Sequence, residues 1–205
     1  MTTLILFLIA SYLIGAIPFA WLIARTRGVD IRQVGSGNVG ATNVFRSVGK
    51  GWGVLTFTAD VLKGFLPAFL FPIWIPETAG TEYAGLLCGC AAIAGHNWPI
   101  YLKFKGGKGV ATSAGVLLGV APASVGIGIV AWATIFFTSR YVSLASVGAA
   151  IAIPLSGWWL YGAEQRVLAI VLTALGATVV WRHRSNLARI RAGTEHTFRK
   201  EDETS

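Results

Sequence analysis

Apolar residues gather in stretches near residues 4–24, 52–75, 81–101, 110–138, 141–161 and 166–181, and the short polar segments between them hold most of the charge. A helix needs roughly 20 apolar residues to cross a bilayer. The pattern therefore predicts an all-α, polytopic transmembrane helix bundle. The 110–138 stretch is longer than one typical span and contains Ala121-Pro122. A proline inside a helix removes a backbone hydrogen bond and kinks or breaks it, so this stretch reads as one long helix or as two short ones.

Charge placement chooses between them. The 25–50 segment holds Arg25, Arg27, Arg32, Arg46 and Lys50; the 102–109 segment holds Lys103, Lys105 and Lys108; Arg182 and Arg184 open the tail. Basic loops stay in the cytoplasm. The segment around Glu77 and Glu82 has no Lys or Arg and suits the outer side. Six spans would put the basic tail outside. A break at Pro122 gives about seven spans, every basic cluster inside, the N-terminus outside and the C-terminus cytoplasmic. Five spans with re-entrant or interfacial pieces would keep the same parity. The N-terminal stretch lacks a basic leader and is expected to stay as a first helix.

Composition agrees: 54% of the 205 residues are hydrophobic and 13% charged, against roughly 25% charged in soluble domains. One domain, 1–205, is expected, with a short polar tail from about 199. The net charge of +8 sits between apolar runs, so it reads as topology and as a site for anions rather than for nucleic acid. Cys88 and Cys90 are too few for a disulfide framework or a structural zinc site, and read as small buried residues.

Chemistry concentrates in two glycine-rich segments. The first runs from Val34 through Gly35, Ser36, Gly37, Asn38, Val39, Gly40, Ala41, Thr42, Asn43, Val44 and Phe45 to Arg46. Glycines let successive N–H groups converge on one anion, the Ser, Asn and Thr side chains add neutral donors, and Arg46 adds a charged fork. It matches G-x-G-x-x-G at 35–40, but no strand precedes it; it has Walker A spacing to Thr42, but Ala41 stands where the lysine must be. A phosphate cradle remains, and a flexible loop would not need Asn38, Thr42, Asn43 and Arg46 together. The second segment, Gly95-His96-Asn97-Trp98-Pro99 through Phe104-Lys105-Gly106-Gly107-Lys108-Gly109-Val110-Ala111-Thr112, ends one apolar stretch and starts another, and its glycines precede a helix whose N-terminus favours an anion. Lys108 is the functional candidate there, while Lys103 and Lys105 read as topology anchors. His96 is either a ligand or a hydrogen-bonded histidine at a helix end.

Asp60 and Lys63, one turn apart in the second apolar stretch, read first as an ion pair supporting the loop and second as catalytic groups. His183 and Asn186 share a face of a basic helix, beside Arg182 and Arg184, which read as a stop-transfer cluster. Ser143 adds a hydroxyl at the cytoplasmic end of a span.

Taken together, GSGNVGATNVFR at 35–46, DVLKG at 60–64, GHNWPIYLKFKGGKGVAT at 95–112, RYVSLAS at 140–146 and WRHRSNLARI at 181–190 resemble the bacterial acyl-phosphate:glycerol-3-phosphate acyltransferase family. The segments cover nearly the whole chain in the family's order. Trp98 replaces another aromatic, and nothing beyond Phe198 matches a motif. The resemblance implies an enzyme of the bacterial inner membrane, its active site facing the cytoplasm, that moves an acyl group from acyl phosphate to the 1-hydroxyl of sn-glycerol 3-phosphate. This would release lysophosphatidic acid and phosphate, the first acylation of phospholipid synthesis. It implies that His183, Asn186 and Lys108 are catalytic. Ser36, Arg46 and Ser143, carried over by position, would bind substrate together with Gly37, Asn38, Thr42, Asn43, Gly106 and Gly107 of the two glycine loops, with the acyl chain among membrane lipid. The enzyme that makes acyl phosphate is a further expected partner.

No protein nucleophile is needed, because acyl phosphate is a mixed anhydride with a stable leaving anion, and positioning with charge neutralisation can lower the barrier. His183 or a substrate phosphate oxygen takes the proton. The His-x4-Asp pair of other glycerophosphate acyltransferases is absent: Tyr101, Ala188 and Glu201 follow the three histidines at that spacing. No metal or other cofactor is indicated. The alternative is a small anion or phosphate-ester transporter, disfavoured because inverted halves are lacking.

Overall fold

The computed structural model describes residues 1–78 and 81–198, and every regular element among them is helical. The polar tail expected from about 199, with Glu201, lies outside the described residues. Two compact units divide the chain, Met1–Val120 and Ala121–Ser205.

The first unit starts with α1 (Thr2–Ala16), which stops because Ile17 precedes Pro18 and takes an extended ψ of 117°, as a residue before proline must. Helix α2 (Phe19–Thr26) resumes beyond the proline. After a loop come α3 (Ala41–Ser47) and, past Gly49 at φ 141°, α4 (Lys50–Leu70), continued by a 3-10 turn over Phe71–Trp74. Helices α5 (Ala84–Asn97) and α6 (Val110–Val120) flank the second glycine segment.

Two close crossings hold this unit together. A methyl on Gly15 of α1 would strike the Ala92 backbone of α5, and one on Gly95 of α5 would strike Tyr12 and Ala16 of α1. Likewise Gly64 of α4 lies against Thr112 of α6, and Gly115 of α6 against Val61 and Phe65 of α4. Small residues at helix crossings are how helices associate in lipid, where burying large apolar side chains yields no hydrophobic gain. The exposure pattern is inverted accordingly: Leu6 is 61% and Phe57 50% exposed, whereas Ser11, Thr56, Asp60 and Lys63 are buried.

In the second unit, α7 (Pro122–Ser139) begins with its proline at the first turn after Ala121. The break expected inside 110–138 is therefore real: Pro122 lacks the N–H a continuous helix needs, but is well suited to a helix start. Arg140, at φ 61°, ends α7 and leads to α8 (Val142–Tyr161) and α9 (Arg166–Arg182), and α10 (Arg184–Arg191) follows at a 48° bend. Gly176 of α9 packs on Ala150 and Pro154 of α8, and Gly157 of α8 on Leu172 of α9.

Four described helical segments are long and apolar enough to cross a membrane, Thr2–Thr26, Lys50–Trp74, Pro122–Ser139 and Val142–Tyr161, and a fifth if α9 and α10 count as one span. Helices α5 and α6, with 14 and 11 residues, are shorter than the roughly 20 residues a full crossing needs.

Candidate active site

The first glycine segment is organised by Asn43, whose side chain is buried near the start of α3. Its Nδ2 donates toward the carbonyls of Ile31 (3.0 Å), Val34 (3.1 Å) and Asn38 (3.1 Å), while its Oδ1 accepts from the Ser36 amide (3.1 Å) and the Ser47 hydroxyl (3.3 Å). One primary amide thus ties both sides of the loop to one point. Gly35 and Gly37 take φ of 56° and 67°, a region costly for other residues, and a side chain at Gly35 would collide with Asn43 and Ser47. Ser36 is exposed; Asn38, Thr42 and Arg46 are half-buried, with Arg46 in the last turn of α3. Asp30, in the same loop, accepts Arg32 Nη2 at 2.7 Å and Nε at 2.9 Å. That hydrogen bonding, with the charges of Arg32 and Arg25, holds the Asp30 carboxyl down to about 2.

The second segment seats directly against the first. A methyl on Gly107 would lie 2.7 Å from the Val39 carbonyl oxygen and strike the His96 ring. Gly106 has no more room, facing the His96 carbonyl and Pro99, and the Gly107 amide donates to that same carbonyl at 3.2 Å. Lys108 is half-buried, and Gly109, at φ 84°, turns the chain into α6 beside the Asn97 amide.

Beneath Gly106 and Gly107 lies a small pocket that also reaches Ile17, Phe19 and Val39, and Asp60, Lys63 and His96 are in its wall. Lys63 Nζ stands 2.7 Å from Asp60 Oδ1 and donates to the Ile17 carbonyl at 2.9 Å. His96 Nδ1 lies 3.7 Å from Asp60 Oδ1. The pairing of Asp60 with Lys63 agrees with the ion-pair reading of the sequence.

In the second unit, Ser143 and Asn186 meet on one carboxylate. Glu195 Oε1 accepts from Ser143 Oγ at 2.8 Å and from Asn186 Nδ2 at 2.6 Å, and its Oε2 accepts Arg189 Nε at 2.7 Å. Burial pushes the Glu195 carboxyl up, but the hydrogen bonds from Asn186, Ser143 and Arg189, with the arginine's charge, outweigh it and hold the group below the ordinary glutamate value. His183 sits at the bend between α9 and α10, with Nδ1 2.8 Å from the Val179 carbonyl. A carbonyl only accepts, so the neutral ring carries its proton on Nδ1 and its lone pair on Nε2.

Nothing in the sequence singles out Glu195 or Asp30. Neither belongs to a pattern of its own: Glu195 is an isolated acid 52 residues from Ser143, and Asp30 looks like ordinary loop charge. Among the described residues, no three His, Cys, Asp or Glu side chains gather in a metal-ligating arrangement.

The sequence pattern of the glycerol-3-phosphate acyltransferase family matches residues 5–193. A glycerol-3-phosphate acyltransferase of Aquifex aeolicus is 44% identical over 190 residues, 93% of this chain and 96% of its own. A crystal structure of PlsY (YgiH), an integral membrane glycerol 3-phosphate acyltransferase, in its glycerol 3-phosphate form, is 42% identical and superposes with a TM-score of 0.86 over 96% of each chain. The lysophosphatidic acid form of PlsY gives 0.81 over 96% of this chain and 95% of the other, at the same 42% identity. With a family pattern spanning nearly the whole chain, and relatives this similar matched almost end to end, this membrane protein belongs to the glycerol-3-phosphate acyltransferase family and is an acyltransferase.

Proposed function

We propose that this chain transfers a fatty acyl group from acyl phosphate to the 1-hydroxyl of sn-glycerol 3-phosphate, giving 1-acyl-sn-glycerol 3-phosphate and inorganic phosphate. The observation that carries the reading is the seating of one glycine segment on the other at Gly107 and Val39, each segment bringing a cation, Arg46 and Lys108. Both substrates carry a phosphate, and backbone amides with a fixed cation suit that group. The glycerol 3-phosphate and lysophosphatidic acid forms of the solved relative support the acceptor and the product.

In this reaction the glycerol hydroxyl oxygen bonds to the acyl carbon, the bond from that carbon to the phosphate oxygen breaks, and phosphate leaves with its electron pair. Ser36, Gly37, Asn38, Thr42, Asn43 and Arg46, with Gly106, Gly107 and Lys108, serve phosphate binding. Asn43 acts by shaping the loop. Ser143 and Asn186 orient the glycerol moiety. The tautomer set by Val179 supports His183 Nε2 as acceptor of the hydroxyl proton, and a substrate phosphate oxygen is the other acceptor. Lys108 offsets charge that builds on the leaving phosphate.

The single family pattern over 5–193 supports one functional domain. The basic segments support a bacterial cell-membrane protein with its site toward the cytoplasm and its N-terminus outside, and the break at Pro122 supports seven crossings with α5 and α6 as short ones. The acyl-phosphate-producing enzyme is the natural supplier of the donor. The reading is tested by incubating purified protein with labelled glycerol 3-phosphate and either acyl phosphate or acyl-CoA. Labelled lysophosphatidic acid is expected from acyl phosphate alone, and its absence there overturns the proposal.

A further inference from the structure

Three ionisable side chains are buried in the first unit at a place where the proposed reaction does not use them. The side chains of Asp60, Lys63 and His96 are 3%, 3% and 7% exposed. Burying charge in a membrane helix is costly and calls for a function. We propose that Asp60, Lys63 and His96 form the mount of the second glycine segment, positioning residues that set where the Gly106 and Gly107 amides and Lys108 stand for phosphate. This rests on the reading of that segment as a phosphate site.

The contacts run in an unbroken series. Pro18 interrupts the helix and leaves the Ile17 carbonyl turned toward Lys63 Nζ, 2.9 Å away; the same ammonium holds Asp60 at 2.7 Å and stands 5.6 Å above the Phe19 ring. Asp60 in turn faces His96 Nδ1 at 3.7 Å on the next helix. His96 then touches the glycine segment twice. Its carbonyl receives the Gly107 amide, and its ring fills the space a side chain at Gly107 would need. The Val39 carbonyl closes on the same space. The His96 ring and the first segment thus crowd the one position a side chain on Gly107 would take, leaving less clearance than one methyl group.

Alternative uses fit less well. A metal site is not indicated, since one carboxylate and one imidazole are present and Lys63 already occupies the carboxylate. A purely stabilising pair would not need His96 in contact with the loop, and hydrophobic residues of similar volume often replace buried ion pairs without loss of stability. Contact with the loop is what assigns the cluster a positioning role.

The test is a double-mutant cycle on full-length protein, reading kcat, KM for glycerol 3-phosphate and inhibition by inorganic phosphate. His96→Ala removes the ring and Gly107→Ala pushes against it. Each is expected to lower kcat/KM by about 100-fold, the scale of a misplacement near 1 Å, and to weaken phosphate inhibition. If the ring acts through Gly107, the double variant is no worse than the poorer single one; a loss near the product of the two overturns the mount, as sites that do not interact are additive. Asp60→Asn keeps the shape of the pair and is expected to raise KM about 10-fold with the thermal midpoint within a few degrees of the wild type. Wild-type KM and phosphate inhibition in both Asp60→Asn and His96→Ala overturn the proposal, and should Asp60→Asn fail to fold, the cycle decides alone. Lys108→Ala separates the two readings: unchanged phosphate inhibition in that variant refutes the phosphate site itself, whereas its loss beside a neutral His96→Ala refutes the mount only.

Discussion

Replacing Glu195 with glutamine keeps the size of the second unit's hub, removes its charge and turns one acceptor oxygen into an NH2 donor. In the native protein the carboxylate accepts three hydrogen bonds, at 2.8, 2.6 and 2.7 Å, from Ser143, Asn186 and Arg189. Bonds to a charged acceptor contribute about 1.5–3 kcal/mol each and neutral ones about 0.5–1.5, so neutralising the acceptor costs about 1 kcal/mol per bond. The Arg189 share is the smallest, because that side chain is 37% exposed and water screens it. A total of about 2–3 kcal/mol follows for Glu195→Gln, roughly 4–12 °C in thermal midpoint for a chain of this size. The pH dependence has a definite sign. Because the folded-state value is lowered, the charge contributes fully above the unfolded glutamate range, near 4.5, and its contribution fades as pH falls through the lower folded value. Thermal melts of detergent-solubilised wild type and variant should therefore differ by a constant amount above the unfolded glutamate range and converge as pH falls through the lower folded value. A variant as stable as the wild type at pH 7, or a gap that widens on acidification, refutes the assignment of Glu195 as an ionised hub.

Asn43→Ala removes the side chain that joins Ile31, Val34, Ser36, Asn38 and Ser47, and a loss of about 3–5 kcal/mol is expected from several buried bonds at about 1 kcal/mol each. Asn43→Asp should be no better, since a carboxylate turned toward three carbonyls has no proton to give them; limited proteolysis of the 28–40 loop reads both. For His183→Ala and Asn186→Ala, kcat should fall by about 100-fold or more, the typical range for a positioned proton acceptor or orienting group, and unchanged kcat in both would remove the second unit from the chemistry. A cysteine at Ser185 should label only from the cytoplasmic side in sealed vesicles, and labelling from outside would reverse the orientation.

Periodicity and local chemistry made much of this protein legible from its sequence. Long apolar stretches can satisfy their backbones in lipid only as helices, so the helical membrane class followed from pattern alone. The break at Pro122 followed from the missing amide, and the ion pair of Asp60 and Lys63 from i, i+3 spacing on one helix. All of these depend on neighbours within a turn or two along the chain. What only tertiary structure decided are contacts between residues far apart in sequence. Nothing local to Glu195 marks it as the acceptor for Ser143 and Asn186, because that role depends on where α8 and α10 bring their side chains. Nor does a second glycine in a glycine-rich loop announce that His96 and Val39 leave it no room for a side chain. Asn43 read as a ligand for phosphate, while the fold uses every polar atom of its side chain to shape the loop. Sequence specifies which groups are chemically capable, but helix crossings at Gly15, Gly95, Gly64 and Gly115 bring backbones close enough to decide which of those groups meet.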